Sequence, residues 1–130
     1  MAIEFNHTIV AARDRAESAT FFTEMFGLPA ATEFGPFLAV TIDHGASLDY
    51  AQVPAGADIH PQHYAFLVSE AEFDEIYGRI QQRGLQHWAD PRAERPGEIN
   101  HNDGGRGVYF QDPSGHNLEI ITRPYGSGGS

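Results

Sequence analysis

The strongest constraint on how this chain can fold is that its two halves repeat one order of landmarks. A histidine opens a strand-like run at His7 and again at His63. A glycine-leucine step closes a helical stretch at Gly27-Leu28 and again at Gly84-Leu85. An acid set between leucine and another large residue ends each half, in Leu48-Asp49-Tyr50 and in Leu118-Glu119-Ile120. The step from His7 to Gly27 is 20 residues and that from His63 to Gly84 is 21, the trace that a duplicated module leaves. Two histidines and two carboxylates then become candidates to converge on one pseudo-twofold axis, which is metal-site chemistry.

Composition sets the frame for that repeat. With 130 residues, 41% of them hydrophobic and 12% aromatic, the chain is expected to form one domain over residues 1–125 with an ample core. Module 1 is placed at about 3–53, a linker at 54–61, module 2 at about 62–123 and a disordered tail at 126–130. Eighteen acids face eight bases, all arginine, for a net charge of −10. Such a surface repels nucleic acid and acidic membranes. No cysteine is present, so disulfides and thiolate metal sites are excluded and any metal must be held by nitrogen and oxygen. Without an apolar run of roughly 20 residues or a leader-like start, the expected location is the cytoplasm.

Periodicity gives the elements. Residues 3–10 read as a strand with Phe5, His7 and Ile9 on one face, and residues 13–26 as an amphipathic helix carrying Ala16, Ala19, Phe22 and Phe26. Three short strands follow at 31–34, 37–42 and 46–52, separated by Gly35-Pro36 and His44-Gly45. The second half repeats the order: a strand at 63–69, a helix capped by Ser69 with Phe73, Ile76, Tyr77 and Ile80 on one face, and a short strand near Trp88. A hairpin of 107–111 and 116–122 then closes around Asp112-Pro113-Ser114-Gly115. On its last strand Glu119 shares a face with Asn117 and Ile121, while Leu118 and Ile120 point the other way.

His7, His63 and Glu119 form a two-histidine, one-carboxylate set, which leaves a divalent ion residual charge and open positions for substrate and dioxygen together. Asp49 is either a fourth ligand or an acid that orients substrate or a bound water. His44, His60, His87 and His116 read as surface, loop or turn residues. Arg92, Arg95 and Arg106 lie in or beside the loop that leads to Tyr109, where one of them can take an anionic substrate group. Phe34, Phe37, Tyr50, Phe66 and Trp88 are either core or the lining of an apolar pocket.

The most specific linear pattern is Ile99-Asn100-His101, then Val108-Tyr109-Phe110-Gln111-Asp112-Pro113-Ser114-Gly115, then Glu119. With the duplicated βαβββ order it resembles the vicinal oxygen chelate superfamily, and the closing segment resembles the signature of extradiol ring-cleavage dioxygenases. The resemblance implies an α+β fold in which two βαβββ modules form a cupped mixed sheet with helices on its outer face. It implies that His7, His63 and Glu119 hold Fe(II), with Mn, Ni and Zn as alternatives, and that His101 is an acid/base and Tyr109 a hydrogen-bonding residue beside the substrate. A neutral histidine can take and return a phenolic proton near pH 7, and a tyrosine hydroxyl can hold an anionic oxygen.

The expected function is that of a metal-dependent enzyme that uses dioxygen to cleave an aromatic or polyaromatic ring bearing vicinal hydroxyls. Small two-module relatives suggest a place in the tailoring of aromatic polyketides, and a homodimer with shared sites. The expected partners are therefore a small aromatic substrate, dioxygen and a second copy of the chain, with neither nucleic acid nor membrane. Alternatives on the same scaffold are a glyoxalase-like isomerase, a fosfomycin-resistance-type transferase and a non-catalytic drug-binding protein of the bleomycin-resistance type. Typical extradiol enzymes of this superfamily carry four modules, and this chain has two.

Overall fold

A computed structural model describes residues 3–128. The chain divides into two compact units, Met1–His60 and Pro61–Ser130, with the division inside the expected linker. Each unit has the order βαβββ. The first contains β1 (His7–Ala12), α1 (Arg15–Phe26), β2 (Thr32–Phe34), β3 (Phe37–Thr41) and β4 (Ser47–Gln52). The second contains β5 (His63–Leu67), α2 (Glu70–Gln82), β6 (His87–Trp88), β7 (Gly107–Gln111) and β8 (Asn117–Ile121). The strands form two four-stranded mixed sheets, ordered β1-β4-β3-β2 and β5-β8-β7-β6. The fold class is α+β, as expected.

Strand pairing shows the duplication at the level of single residues. In the first unit β1 runs parallel to β4 with His7 opposite Ser47 and Ile9 opposite Asp49. In the second, β5 runs parallel to β8 with His63 opposite Asn117 and Ala65 opposite Glu119. Each histidine thus starts its strand and each acid lies two residues along the neighbouring strand. Side chains alternate across a strand, so histidine and acid share a face in both units.

The opposite faces hold the two cores. Val10, Ala12, Val40, Leu48 and Tyr50 are buried, as are Ala19, Phe22 and Met25 of α1, which packs across β1, β3 and β4. In the second unit the buried strand residues are Val108, Phe110, Leu118 and Ile120, and α2 buries Phe73, Ile76 and Ile80. Tyr77 of α2 meets His87 edge-on at 5.3 Å between ring centroids, and His87 is the register partner of Phe110. That contact places α2 on the Phe110 side of the sheet. Each large apolar side chain removed from water in this way contributes about 1.5–3 kcal/mol.

Local chemistry explains where the helices begin. Asp14 accepts from the amides of Ala16 and Glu17 at the start of α1. Ser69 and Glu72 form a reciprocal capping box at the start of α2. Gly27 ends α1 at φ +68, a left-handed conformation that glycine adopts without a Cβ penalty.

Several expectations need correction. The first strand is His7–Ala12 and not 3–10, because its partner β4 starts only at Ser47 and leaves Phe5 without a ladder position. Ala16 is exposed, and the buried face of α1 carries Ser18 and Thr23 beside Ala19 and Phe22. Phe26 is half-buried and stacks on Phe22 at 4.1 Å between centroids. His87, expected in a loop, lies on β6. Phe34 is exposed and contributes little to a core. In the tail, the Gly126 amide donates to Asp103 Oδ1 at 3.1 Å, while Gly129 and Ser130 lie outside the described residues. Among the described residues no helix is long and apolar enough to cross a membrane.

Candidate functional site

Glu119 lies on β8, an interior strand of the second sheet, between Ala65 of β5 and Tyr109 of β7. It is fully buried. A carboxylate taken out of water costs several kcal/mol unless hydrogen bonds replace its hydration, and both of its oxygens are engaged. His63 Nε2 is 2.8 Å from Glu119 Oε1, and the Tyr125 hydroxyl donates to Glu119 Oε2. The Tyr109 and Tyr125 hydroxyls are 3.0 Å apart, and the His63 and Tyr109 rings meet edge-on at 5.6 Å. One imidazole, one carboxylate and two phenols form a single cluster.

The phenols are held protonated. Burial raises the Tyr109 pKa far above its ordinary value, and the Tyr125 hydroxyl and Glu119 push the same way. Tyr125 is raised too, first by burial and then by its bond to Glu119. The single proton of Tyr125 goes to Glu119, so Tyr109 donates to the Tyr125 oxygen, and Tyr109 is the phenol that can turn its proton to an anionic oxygen.

The loop that carries His101 is anchored at its base. Buried Asn100 donates from Nδ2 to the Ala89 carbonyl at 2.8 Å and exchanges backbone bonds with Gly107. A Cβ on Gly107 would come within 2.9 Å of the Asn100 side chain, so the close approach requires glycine there. His101 itself is exposed at the head of the turn Asn102–Gly104. In that turn Asp103 sits at φ +57 and accepts the Gly126 amide, which ties the loop of His101 to the tail that delivers Tyr125.

In the first unit the equivalent positions have separate partners. His7 Nδ1 lies 2.6 Å from Asn6 Oδ1, and buried Asp49 accepts from Ser47 Oγ at 2.8 Å. His44 and His60 are exposed. His116 is a turn residue, as read, but a buried one: its Nδ1 accepts the Gln62 amide at 3.0 Å, and its own amide donates to Asp112 at 2.9 Å. Arg106 is committed to structure, paired with Glu70 and Asp74 and stacked 4.4 Å over Phe73. Tyr50 and Phe66 lie on core-side register positions, and Trp88 is the register partner of Tyr109.

Of the expected ligand set, the structure brings His63 and Glu119 together within one unit, and His7 belongs to the other. Among the described residues no group of three or more histidine, aspartate and glutamate side chains is assembled for a metal ion. The donor pair itself suits a divalent ion. An imidazole nitrogen and a carboxylate oxygen each bind at about 2.0–2.2 Å, which sets adjacent ligand atoms roughly 3 Å apart, close to the observed 2.8 Å. Tyr125 is the residue that sequence reasoning missed. Its signal was an aromatic side chain in an otherwise small and polar tail, Arg123-Pro124-Tyr125-Gly126.

The paired βαβββ modules and the acid at the end of each define a class of protein, and the comparisons agree. The sequence profile of the Glyoxalase/Bleomycin resistance protein/Dioxygenase superfamily matches residues 4–120. The chain belongs to this superfamily. It is similar to the solved structure named oxidase ChaP-H2, with 60% identity and a TM-score of 0.95 over 99% of this chain and 100% of that one. Oxidase ChaP-H1 is also 60% identical, with a TM-score of 0.92 over 96% of this chain and 99% of that one. Among curated proteins it is 31% identical to the glutathione transferase FosA of Serratia marcescens, over 92% of this chain and 81% of that protein.

Proposed function

We propose that this chain is a non-haem Fe(II) dioxygenase of the extradiol type, which opens an aromatic or polyaromatic ring beside two vicinal hydroxyls. The observation that carries the reading is the fully buried Glu119 held between His63 and a tyrosine hydroxyl. A fold does not need a carboxylate there, and a ligand role accounts for the cost of burying it. Two 60% identical proteins named oxidases support oxidative chemistry.

His63 and Glu119, with His7, are the residues to hold the ion, and an Fe(II) ion in such a set supplies a redox-active Lewis acid with open positions. His101 accepts a proton from one substrate hydroxyl and returns it to the ring-opened product. Tyr109 donates a hydrogen bond to the resulting anionic oxygen. Tyr125 fixes the rotamer of Glu119 through Oε2, so the carboxylate that would hold the ion is oriented in advance. Asp49, held by Ser47, orients substrate or water from the equivalent position of the first unit. In the net reaction the carbon-carbon bond beside the diol breaks and both atoms of dioxygen enter the product, so no external reductant is consumed. The functional partner is a second copy of the chain, and each site takes His7 from one copy and His63 with Glu119 from the other. The setting proposed is cytoplasmic tailoring of an aromatic polyketide.

The test is anaerobic reconstitution with Fe(II), followed by oxygen uptake with a panel of catechols and polycyclic hydroquinones. Uptake with ring-opened product, lost in Glu119→Ala and His63→Ala, is the expected result. Metal-independent uptake, or full uptake by Glu119→Ala, overturns it.

A further inference from the structure

Between β6 and β7 the chain forms a loop far more constrained than its exposure requires. The Asp90 carboxylate accepts the amides of Arg92 at 3.2 Å, Glu94 at 2.9 Å and Arg95 at 2.7 Å. The desolvation of Asp90 opposes its charge, yet these bonds hold its pKa below the ordinary value. Ala93 stands at φ +57, a left-handed conformation that is unfavourable for a residue with a Cβ. Ala89 to Arg95 at 3.1 Å and Gly97 to His87 at 2.8 Å close the base of the loop. Backbone strain that the surroundings enforce is a reason to ask what the loop presents.

It presents Arg92 to a cavity of about 270 Å³ that Trp88, Tyr109, Gln111 and Asn117 also line. Asp90 lines it as well, with its oxygens taken up by backbone amides. Trp88 and Tyr109 are register partners, and Gln111 donates to Asn117 at 3.2 Å. By strand parity all four of these sheet residues share the face of His63 and Glu119, and Tyr109 belongs to both sites. Charge separates Arg92 from the two other arginines in or beside this loop. Arg95 pairs with Glu98 and Arg106 with Glu70 and Asp74, but among the described residues no carboxylate pairs with Arg92, in a chain of net charge −10.

We propose that this cavity is an anion subsite of the same centre, and that the substrate is a fused-ring aromatic carrying a carboxylate-like oxyanion at the end remote from its vicinal hydroxyls. This deepens the dioxygenase reading and rests on it. Trp88 offers a face for one or two rings, which is the portion of a ligand that a cavity of this size admits. The planar Arg92 guanidinium pairs with the oxyanion in a two-pronged hydrogen bond. Gln111 and Asn117 bond the remaining polar edge, and the fixed loop pre-pays the ordering of the arginine.

Trp88 is the only tryptophan of the chain, so its fluorescence reports occupancy directly. The experiment titrates the anaerobic Fe(II)-loaded protein with two probes, a vicinal naphthalenediol and the same diol bearing a sulfonate on the far ring. The sulfonated probe should bind about tenfold tighter. That preference should fall to about one in Arg92→Gln and be partly kept in Arg92→Lys. Equal binding of the two probes by the native protein, or a full preference in Arg92→Gln, overturns the subsite while leaving the diol reading intact. Binding of the sulfonate through Arg92 without any binding of the plain diol supports the subsite and removes the diol reading. No quenching by either probe overturns both.

Discussion

His63 Nε2 and Glu119 Oε1 lie 2.8 Å apart although 56 residues separate them in sequence. The contact follows from the parallel register of β5 and β8, which sets the acid two residues beyond the position opposite the histidine. The second carboxylate oxygen is held by Tyr125, so the carboxylate has one orientation before any ligand arrives.

Tyr125→Phe tests that orientation. The substitution leaves Glu119 Oε2 without its donor, and loss of a partner to a ligating carboxylate weakens metal binding about 10–100-fold. Chelator competition with Fe(II) should show a drop of that size in a protein that still melts cooperatively. Unaltered affinity would reduce Tyr125 to a tail contact.

His101 is exposed, and among the described residues it forms no three-residue ligand group with His63 and Glu119, so it should act on protons and not on the ion. His101→Phe should keep stoichiometric iron and lose roughly 10²–10⁴-fold in turnover, the usual worth of a positioned acid or base. Iron lost together with turnover would make His101 a ligand instead.

The acid side of the stability profile should depend on Glu70. Its pKa is lowered from the ordinary 4.5, first by a hydrogen bond with Thr122 and then by Arg106. A carboxylate with a depressed native pKa stabilises fully above its unfolded value, and that contribution is lost as pH falls through the native value. Glu70→Gln should therefore lower Tm at pH ~7 and have little effect at pH ~2. An equal loss at both pH values would point to packing, not charge.

Sharing of sites between copies can be read by complementation. His7→Ala and Glu119→Ala chains, each inactive alone, should regain about a quarter of native activity when unfolded and refolded together, because one site of each mixed dimer collects both lesions. No recovery with mixed dimers present would place all ligands in one chain.

Much of this was legible from residue order. The repeated His and Leu-acid landmarks correspond to the same register in both sheets, and the alternation around Leu118-Glu119-Ile120 puts Leu118 and Ile120 on the core face and Glu119 on the opposite one. What escaped the sequence depended on contacts between distant loops. Tyr125 reaches Glu119 because Asp103, 23 residues from Gly126, ties down the tail, and no local periodicity encodes that. Ile3 and Phe5 look like strand residues, yet β1 starts only at His7 because the partner strand begins at Ser47. His87 escaped because β6 is two residues long, too short to show alternation.

The most direct measurement is the fate of isotopically labelled dioxygen in a single anaerobic-to-aerobic turnover of the Fe(II)-loaded protein with a polycyclic vicinal diol. One ring-opened product containing both labelled atoms is expected. A product with one labelled atom or none, or an intact ring, would contradict the dioxygenase reading.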